Sequence, residues 1–257
     1  MKHILICLCS LFLTSQLTFA KGDLAALQKR GVLKVAVDTT YPPMEYEDEN
    51  GKTIGFDVDM ATELAKRMGV KAEFVVMPWD GILAGLTGKR YDVIISSMNI
   101  TQDRLKVVNF VEYAKMGQIF ISRQKDEPVK TVKDLAGKVV AVQRDTTSSE
   151  AVDGFKKDVK IKDIKTFVAA TDTFSALKSR QADVIVIDEP VGNYYVALDS
   201  KTFVVTGQAI APEPIGIAIR KSDSEVYAEI SKVMAAMKKD GSFNTIYKKW
   251  FGTEPKN

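Results

Sequence analysis

Apolar runs rich in branched side chains alternate with segments of helical periodicity along most of this chain of 257 residues. The runs "VLKVAV" (32–37) and "AEFVVM" (72–77) predict buried strands. Between them, apolar positions recur at helical spacing and stop at Gly69, a residue typical of a helix C-terminus. A short predicted helix over 80–90 then precedes a third strand, "DVIISS". This order predicts right-handed βαβ units and a parallel sheet, which places the chain in the α/β class.

The second half of the chain repeats this order, with predicted strands at 138–143 and 183–188. The repeat is visible in the letters, because "LTGKRYDVIIS" and "LKSRQADVIVI" are two copies of a helix end, a basic turn and an Asp-Val-Ile strand. A strand at 215–220 and two helices follow, the longer helix capped by Asp223 or Ser224. We therefore predict two similar α/β lobes rather than one large sheet.

The first twenty residues, "MKHILICLCSLFLTSQLTFA", predict a secretory signal peptide over 1–20. Lys2 supplies the basic start, Ile4 to Leu13 the apolar segment, and Ala20 the small residue before the cleavage point. The alternative is a membrane anchor, but the apolar segment is much shorter than the ~20 residues that span a bilayer. We expect a mature chain that is soluble and periplasmic or otherwise secreted.

Cys7, Cys9 and His3 are the only cysteines and histidine, and all three lie inside the predicted signal peptide. A mature chain without them has no disulfide, no cysteine nucleophile, no serine–histidine triad and no His or Cys metal ligand. We predict no cofactor and no metal. The net charge of +3 is spread along the chain, whereas nucleic-acid binders cluster their basic residues, so no nucleic-acid partner is expected.

Polar residues follow each predicted strand at the point where the strand ends. Because ligands of open α/β sheets bind outside the carboxyl ends of the strands, these residues are candidates for one site. They are Asp38 and Tyr41 after the first strand, Trp79 after the second, Ser96, Ser97 and Asn99 after the third, and Gln143, Thr146, Thr147 and Asp188 in the second half. Both halves thus present hydrogen-bonding groups at the same edge, as a ligand held between two lobes requires.

Arg104 follows this edge and adds a positive charge. Thr101 predicts a helix N-cap that places Arg104 in the first turn, where a cation opposes the helix dipole by ~0.3–1 kcal/mol. An anionic partner would offset this, and free helix N–H groups, serine hydroxyls and a guanidinium together suit a carboxylate. The alternative is a structural salt bridge to Asp80 or Asp103.

Asp188 is the candidate for the opposite charge, because an acid at the end of a buried strand can neutralise an ammonium group. Its alternative role is a cap for the helix that begins at Pro190. Asp38 could equally form a turn, and Tyr41 and Trp79 could belong to the core or to an aromatic wall of the site. An arginine for a carboxylate and an aspartate for an ammonium would together recognise an α-amino acid.

Five blocks in order resemble the periplasmic amino-acid-binding proteins of ABC importers, solute-binding protein family 3. They are "GVLKVAVDTTYPPMEYEDENGKTIGFDVDMATELAKRMG", "SSMNITQDR", "VKDLAGKVVAVQRDTTS", "ADVIVIDEP" and "DGSFNTIYKKWFGTEP". The resemblance implies a two-lobe periplasmic-binding-protein-like fold of type II, with two hinge strands and a cleft that closes around one amino acid. It implies a discontinuous first lobe, 21–115 and 214–257, and a second lobe, 116–213. It also implies a monomer that docks on a membrane permease.

The resemblance also implies roles at the cleft. Arg104 would hold the α-carboxylate of the ligand, and Asp188 would hold its α-ammonium group. The assisting hydrogen-bonding groups would come from Ser96, Ser97, Asn99, Thr146 and Thr147. The ligand side chain would meet Asp38, Tyr41, Trp79 and Gln143.

Three positions depart from the usual pattern of the family. Asp145 stands where the family usually has Gly, Met44 where it usually has Phe, and Ile187 where glutamine binders tend to have His. An acidic Asp38 without an added Lys favours a cationic or neutral polar ligand side chain. We therefore predict a binding protein that captures a polar or cationic L-amino acid, of arginine, lysine or glutamine type, for delivery to an ABC permease.

An enzyme is the alternative of a different class. Relatives of these binders include cyclohexadienyl dehydratases, which use the same cleft to eliminate from a carboxylate substrate such as prephenate or arogenate. Such a reaction needs an acid in the cleft to protonate a leaving hydroxyl. Asp145 and Glu189 are the unusual acids that the sequence offers for it.

Overall fold

The computed structural model describes residues 22–255, so the predicted signal peptide lies outside the described part of the chain. The strands of the main sheet are β1 (Val32–Val37), β5 (Lys71–Val76), β6 (Val93–Ile94), β7 (Val108–Arg123), β8 (Val139–Gln143), β9 (Asp163–Phe167), β10 (Val184–Asp188) and β11 (Phe203–Arg220). A small sheet consists of β2 (Thr40–Tyr41), β3 (Glu45–Glu47) and β4 (Thr53–Ile54). The helices are α1 (Asp23–Arg30), α2 (Phe56–Arg67), α3 (Trp79–Thr87), α4 (Gln102–Val107), α5 (Thr147–Phe155), α6 (Ala170–Lys178), α7 (Glu189–Leu198), α8 (Ser224–Lys239) and α9 (Ser242–Phe251), with one 3-10 turn at Val132–Leu135.

The main sheet has two parallel sets of strands, one in each lobe. Its order is β5–β1–β6–β11–β7–β10–β8–β9. Strands β5, β1 and β6 run parallel in the first lobe, and β10, β8 and β9 run parallel in the second. Strands β11 and β7 lie between the two sets and run antiparallel to each other and to their outer neighbours. This is the two-lobe α/β fold that the sequence predicted.

The two long strands β7 and β11 join the lobes, and their length differs from the sequence prediction. The predicted strand covers only 215–220, whereas β11 begins twelve residues earlier, at Phe203. The two strands pair from one lobe into the other, with several register shifts near the middle. Backbone hydrogen bonding is therefore continuous across the molecule in one eight-stranded sheet, so the prediction of two lobes without one large sheet is wrong in its second part. Polar and glycine residues such as Glu112, Lys115 and Gly117 interrupt the apolar pattern of β7, so it carries no clear strand signal.

The core is divided into layers by the two faces of the sheet. On β1, Leu33, Val35 and Val37 pack into the core shared with α2 and α8, while Ala36 faces a second core against α3. This alternation is the period of two expected for a strand covered on both faces. Helices pack against both faces of the sheet, and the polar residues at the carboxyl ends of the parallel strands lie outside these apolar cores. No helix within residues 22–255 combines the length and the apolarity needed to cross a membrane.

Candidate functional site

The carboxyl ends of β1, β6, β8 and β10 meet around one cavity between the lobes. It is lined by Asp38, Tyr41, Glu45, Trp79, Ser96, Ser97, Asn99, Gln143, Thr146, Thr147, Ser148 and Asp188. The cavity has a volume of only about 20 Å3, the room that about one water molecule needs. The lobes are therefore closed onto one another, and polar groups of the two lobes bond directly across the cleft.

Asp38 directly follows β1 and accepts hydrogen bonds from both lobes. Its Oδ1 accepts hydrogen bonds from the backbone N–H (3.1 Å) and the hydroxyl (2.9 Å) of Thr40, so Asp38 does form the turn considered from the sequence. Its Oδ2 accepts a 2.6 Å bond from the side-chain amide of Gln143, across the cleft. Burial raises the pKa of Asp38 above its ordinary value, against the lowering effect of these hydrogen bonds. One carboxylate oxygen thus stabilises the turn at Thr40, and the other accepts a hydrogen bond across the cleft from Gln143.

Asp188 ends β10 in the second lobe and is almost fully buried, with 4% of its surface exposed. It occupies the N-cap position of α7, but its side chain makes no capping hydrogen bond, so the helix-cap interpretation is wrong for the carboxylate. Instead, Asp188 Oδ2 accepts a 2.8 Å hydrogen bond from the hydroxyl of Tyr41 in the first lobe. Burial raises the pKa of Asp188 to about 6, and the bond from Tyr41 and the nearby charge of Arg104 oppose this rise.

Further hydrogen bonds connect the lobes around the cavity. The hydroxyl of Thr147 donates to Asn99 Oδ1 (3.0 Å) and accepts from the side chain of Gln118 (2.8 Å). The other amide atom of Asn99, Nδ2, is buried without an acceptor among residues 22–255. At the cleft mouth, the indole N–H of Trp79 donates to the carbonyl of Asp145 over 2.9 Å. The closed form is thus held by polar contacts and leaves one buried amide donor unused.

Arg104 lies beside the cavity rather than on its wall. Thr101 caps α4 as predicted, by accepting from the Arg104 N–H. The guanidinium donates to the carbonyls of Asn99 (3.0 Å) and Asp145 (3.4 Å) and lies over the ring of Trp79 at 5.5 Å. Arg104 is buried, with 9% of its surface exposed. It borders a second, wider cavity, which Trp79 also lines.

The structural salt bridges considered for Arg104 are absent from the described residues. Asp103 pairs with Lys106 at 2.6 Å, and Asp80 pairs with Arg144 at 3.2 Å. The guanidinium therefore has neutral carbonyl partners within the described part of the chain. Burial lowers the pKa of Arg104, and the negative charges of Glu150 and Asp188 partly restore it. A buried cation without a carboxylate in contact is an incomplete ion pair.

The structure brings together every predicted site residue except Arg104, which stands at the edge, and it adds two that the sequence analysis missed. Ser148 follows Thr147 in the first turn of α5, so its position beside a predicted site residue was the available indication of its role. Glu45 lies in β3, in the stretch "MEYED". Several acidic residues so close together are typical of an exposed loop. Nothing in the local pattern marks Glu45 as fully buried, which it is.

Asp145, the departure from the usual Gly, fits its position through its backbone. Its φ is 58°, a left-handed value that glycine adopts freely and that Asp tolerates better than most residues. Its carbonyl serves Trp79 and Arg104, while the residue itself is exposed. The loop therefore keeps the conformation that a glycine would give it. Neither Asp145 nor Glu189 lines the cavity that contains Asp38 and Asp188.

Comparison with known proteins assigns this arrangement to a family. The profile of the bacterial extracellular solute-binding proteins, family 3, matches residues 33–253, which is most of the chain. The protein belongs to that family. Its sequence is 32% identical to the L-cystine-binding protein TcyJ of Escherichia coli (strain K12) over 236 residues, covering 91% of this chain and 88% of the relative.

Solved structures of amino-acid-binding proteins share the fold. An ancestral arginine-binding protein bound to arginine superimposes with a TM-score of 0.83 at 40% identity, covering 87% of this chain and 99% of that one. The ancestral amino acid-binding protein AncCDT-1, described as a precursor of cyclohexadienyl dehydratase, superimposes with a TM-score of 0.82 at 39% identity, covering 89% and 99%. This solute-binding protein thus resembles binders whose names give different amino acids, and the ligand is to be argued from the cleft.

Proposed function

We propose that this protein captures a cationic L-amino acid, of arginine or lysine type, between its lobes and delivers it to the permease of an ABC importer. The lobes would comprise residues 21–115 with 214–257 and residues 116–213. The chain would act as a monomer in the periplasm after cleavage behind Ala20. The binding role follows from the family, and the choice of a cationic ligand rests on the charges of the cleft.

The observation that carries this choice is a pair of buried carboxylates without cationic partners. Asp38 and Asp188 line the same cavity, each with 4% of its surface exposed. Neither forms a salt bridge with any residue in the described range; their partners are a hydroxyl, amides and a phenol. Burying a charge without a counter-charge costs several kcal/mol. A ligand with an α-ammonium group and a cationic side chain would supply two counter-charges.

The carboxylate of the ligand would meet two donor groups of the first lobe, the guanidinium of Arg104 and the Nδ2 of Asn99. Arg104 has carbonyl partners where an anion would bind more strongly, and the Nδ2 of Asn99 lacks an acceptor in the described structure. An unsatisfied buried donor costs about 1–3 kcal/mol, which an incoming carboxylate would recover. Opening of the lobes would release Arg104 from the carbonyl of Asp145 and expose both donors. The α-carboxylate would then bind before the second lobe closes.

Closure follows from contacts that each lobe adds. Hinge motion around a ligand requires that the ligand bind the closed form more tightly, and a full shift takes about 5.5 kcal/mol. Asp188 and Thr147 come from the second lobe, and Asp38 and Arg104 come from the first. Two charge-assisted hydrogen bonds at about 1.5–3 kcal/mol each, with neutral bonds in addition, are about sufficient.

Charge also distinguishes an arginine-type ligand from the cystine named for the relative. Cystine carries two ammonium groups, which would suit Asp38 and Asp188, but it carries two carboxylates as well. Arg104 is the one buried cation that the described structure places beside this cavity. The cleft therefore provides for one ligand carboxylate rather than two, which supports a monocarboxylate with a cationic side chain.

The dehydratase alternative is favoured by one observation, the similarity to AncCDT-1. Against it, both acids proposed from the sequence, Asp145 and Glu189, are exposed and lie outside the cavity lining. Incubation with prephenate or arogenate, followed by ultraviolet absorbance, tests it directly. Turnover that is lost in Glu189→Gln or Asp145→Gly would favour the enzyme.

A thermal-shift screen of the twenty amino acids and cystine tests the proposed ligand class. A ligand at 100 times its Kd adds about 2.7 kcal/mol of stability, which is readily detected. L-arginine and L-lysine are expected to give the largest shifts, and L-glutamine a smaller one. A shift with cystine or an acidic amino acid alone would refute the cationic ligand while leaving the binding role intact.

A further inference from the structure

Two buried acids lie side by side at the cleft, where Glu45 lines the cavity and Asp57 does not. Glu45 belongs to β3 and Asp57 to the first turn of α2, and both have no exposed surface. Gly55 makes their approach possible, because its φ of 143° favours glycine and a Cβ there would lie 2.1 Å from the carbonyl oxygen of Met44. Neither acid forms a salt bridge with a residue that the structure describes. Two carboxyl groups thus share a site that contains no compensating cation among those residues.

The hydrogen bonds of the two acids are unequal. Asp57 Oδ2 accepts from the backbone N–H of Ser97 (2.7 Å), the hydroxyl of Ser97 (3.0 Å) and the hydroxyl of Tyr113 (3.0 Å). Glu45 Oε1 accepts a single bond, from the hydroxyl of Ser96 (2.6 Å). Three donors stabilise a carboxylate much better than one does. Asp57 is therefore the better anion, and Glu45 is the better carrier of a proton.

The remaining oxygens show where that proton lies. Glu45 Oε2 and Asp57 Oδ1 are both buried without a hydrogen-bond partner in the described range, and the two carboxyl groups lie near enough for each to shift the pKa of the other. Two adjacent buried carboxylates cannot both be ionised at moderate cost, so a pair of this kind holds one proton. Burial raises the pKa of Glu45 well above its ordinary range and that of Asp57 to about 6. Both shifts agree with a protonated Glu45 that donates to Asp57.

We propose that Glu45 and Asp57 hold one proton between them and act as a positioning pair for the Ser96–Ser97 turn of the ligand cleft. Ser97 has a φ of 50°, a left-handed value that a non-glycine residue keeps only when its surroundings hold it there. Asp57 holds it through both the N–H and the hydroxyl. The protonated Glu45 holds the hydroxyl of Ser96, which in turn accepts a 3.1 Å bond from the N–H of Asp38.

The pair thus connects the buried proton to the ligand-facing residues of the first lobe. Four ionisable groups act on Glu45 from the elements around it: Asp38, Tyr41, Asp57 and Tyr113. Each of these is neutral or negative, so loss of the proton from Glu45 would place a second charge beside Asp57 without compensation. The Ser96–Ser97 turn would then lose its support, and ligand affinity would fall as the pH rises. This inference rests on the proposed function, because it concerns the same cleft.

Substitution of Glu45 tests whether its side chain acts as a protonated hydrogen-bond donor or as a carboxylate. In Glu45→Gln, the amide N–H replaces the acid O–H as the donor to Asp57, and the amide oxygen still accepts from Ser96. We expect Glu45→Gln to bind L-arginine within about threefold of the unmodified protein, and Glu45→Ala to bind it about tenfold or more weakly, since one buried hydrogen bond is worth about one such factor. Calorimetric titration at neutral pH measures both. Glu47→Gln, an exposed position in the same strand, is the matched control and should bind normally.

The pH profile distinguishes a proton-holding pair from a merely well-packed residue. Affinity for L-arginine should fall more steeply toward alkaline pH in the unmodified protein than in Glu45→Gln, whose amide does not titrate. Equal alkaline profiles, or a Glu45→Gln variant as weak as Glu45→Ala, would overturn the proposal. Should the protein bind no amino acid at all, the proposed function fails, and infrared spectroscopy still tests the pair. The unmodified protein should then show the carbonyl band of a protonated carboxylic acid, and its persistence in Glu45→Gln would refute the assignment.

Discussion

The two lobes are nearly equivalent at their outer ends and differ at the cleft. In the first lobe, Arg220 at the end of β11 donates to the carbonyls of Leu86 and Tyr91, and its guanidinium lies 3.9 Å from the carboxylate of Asp92. The same carboxylate accepts a 2.8 Å bond from the N–H of Lys34 in β1. One arginine thus fastens the basic turn "LTGKRYD" to the end of a long strand.

The second lobe repeats this arrangement with the other copy of the turn. Arg123 at the end of β7 donates to the carbonyls of Leu177 and Ala182, and its guanidinium lies 3.5 Å from the carboxylate of Asp183. Asp183 likewise accepts a 2.8 Å bond from the N–H of Val139 in β8. The likeness between "LTGKRYDVIIS" and "LKSRQADVIVI" therefore reflects an equivalent structural unit in each lobe.

The cleft ends of the same lobes share no such likeness. There, Asp38 lies in one lobe and Asp188 in the other, and the buried Arg104 forms no salt bridge within residues 22–255. At the outer ends, the buried Arg123 and the partly buried Arg220 contact carboxylates; at the cleft, charges of both signs are buried with neutral partners. The difference teaches that the repeated ends serve stability, and that the unpaired charges of the cleft are available to a ligand.

The largest expected effect that tests this comparison is the replacement of Arg104 by alanine. Loss of the guanidinium should weaken amino-acid binding by about 100-fold or more, since truncation of one partner of a buried charge pair costs about 2–5 kcal/mol. The free energy of unfolding should change little, because Arg104 has no ion pair in the described structure. Calorimetry with L-arginine and urea unfolding measure the two quantities.

Arg123→Ala is the matched control for that experiment, and its effects should be reversed. It removes a guanidinium that contacts Asp126 and Asp183, so the free energy of unfolding should fall by about 3 kcal/mol. Binding by the fraction that remains folded should be nearly unchanged. A loss of stability in Arg104→Ala as large as that in Arg123→Ala would remove the distinction between the two buried arginines.

An intermediate effect is expected for Asp188→Asn, which should weaken binding more than tenfold, or about 1.4 kcal/mol. Without ligand, the same variant should be more stable than the unmodified protein at neutral pH. Burial raises the pKa of Asp188 from 3.8 in the unfolded chain to about 6 in the folded protein. The folded state therefore binds this proton more tightly, and the free energy of unfolding falls as the pH rises through this interval.

The amide side chain of the variant does not titrate, so the free energy of unfolding of Asp188→Asn should exceed that of the unmodified protein by about 1–3 kcal/mol above pH 6. This difference should disappear below the pKa of 3.8 in the unfolded chain. Urea unfolding at several pH values measures it, with the exposed Asp163→Asn as a control. Normal binding by Asp188→Asn would return this residue to a structural role at the N-terminus of α7.

The smallest effect is expected at Asp145, which lies at the cleft mouth but serves it through its carbonyl. Asp145→Gly relieves a left-handed backbone and loosens the unfolded chain, so the free energy of unfolding should change by less than about 1 kcal/mol. The affinity for L-arginine should remain within about threefold of that of the unmodified protein, a change smaller than the loss of one charge-assisted hydrogen bond would cause. A large loss in calorimetry would show that the carboxylate itself contacts the ligand.

The sequence by itself determined the elements whose signal is local. The apolar periods of β1, α2 and β10 predicted both their type and their place, and the chain order of strand and helix predicted the parallel sets. The rule that ligands bind at the carboxyl ends of such strands then gathered Asp38 and Asp188 into one candidate site before any distance was known.

Only the tertiary structure decided which partners the polar groups have. The sequence left a helix-cap role and a ligand role open for Asp188, and the structure shows its carboxylate bound to Tyr41 rather than capping α7. The two acids considered as partners of Arg104, Asp103 and Asp80, pair with other residues. Glu45 and Asp57 lie in different elements, brought together by a close approach at Gly55 that no periodicity encodes. Periodicity reports which face of an element is apolar, whereas hydrogen bonds and ion pairs between distant segments depend on how those elements pack.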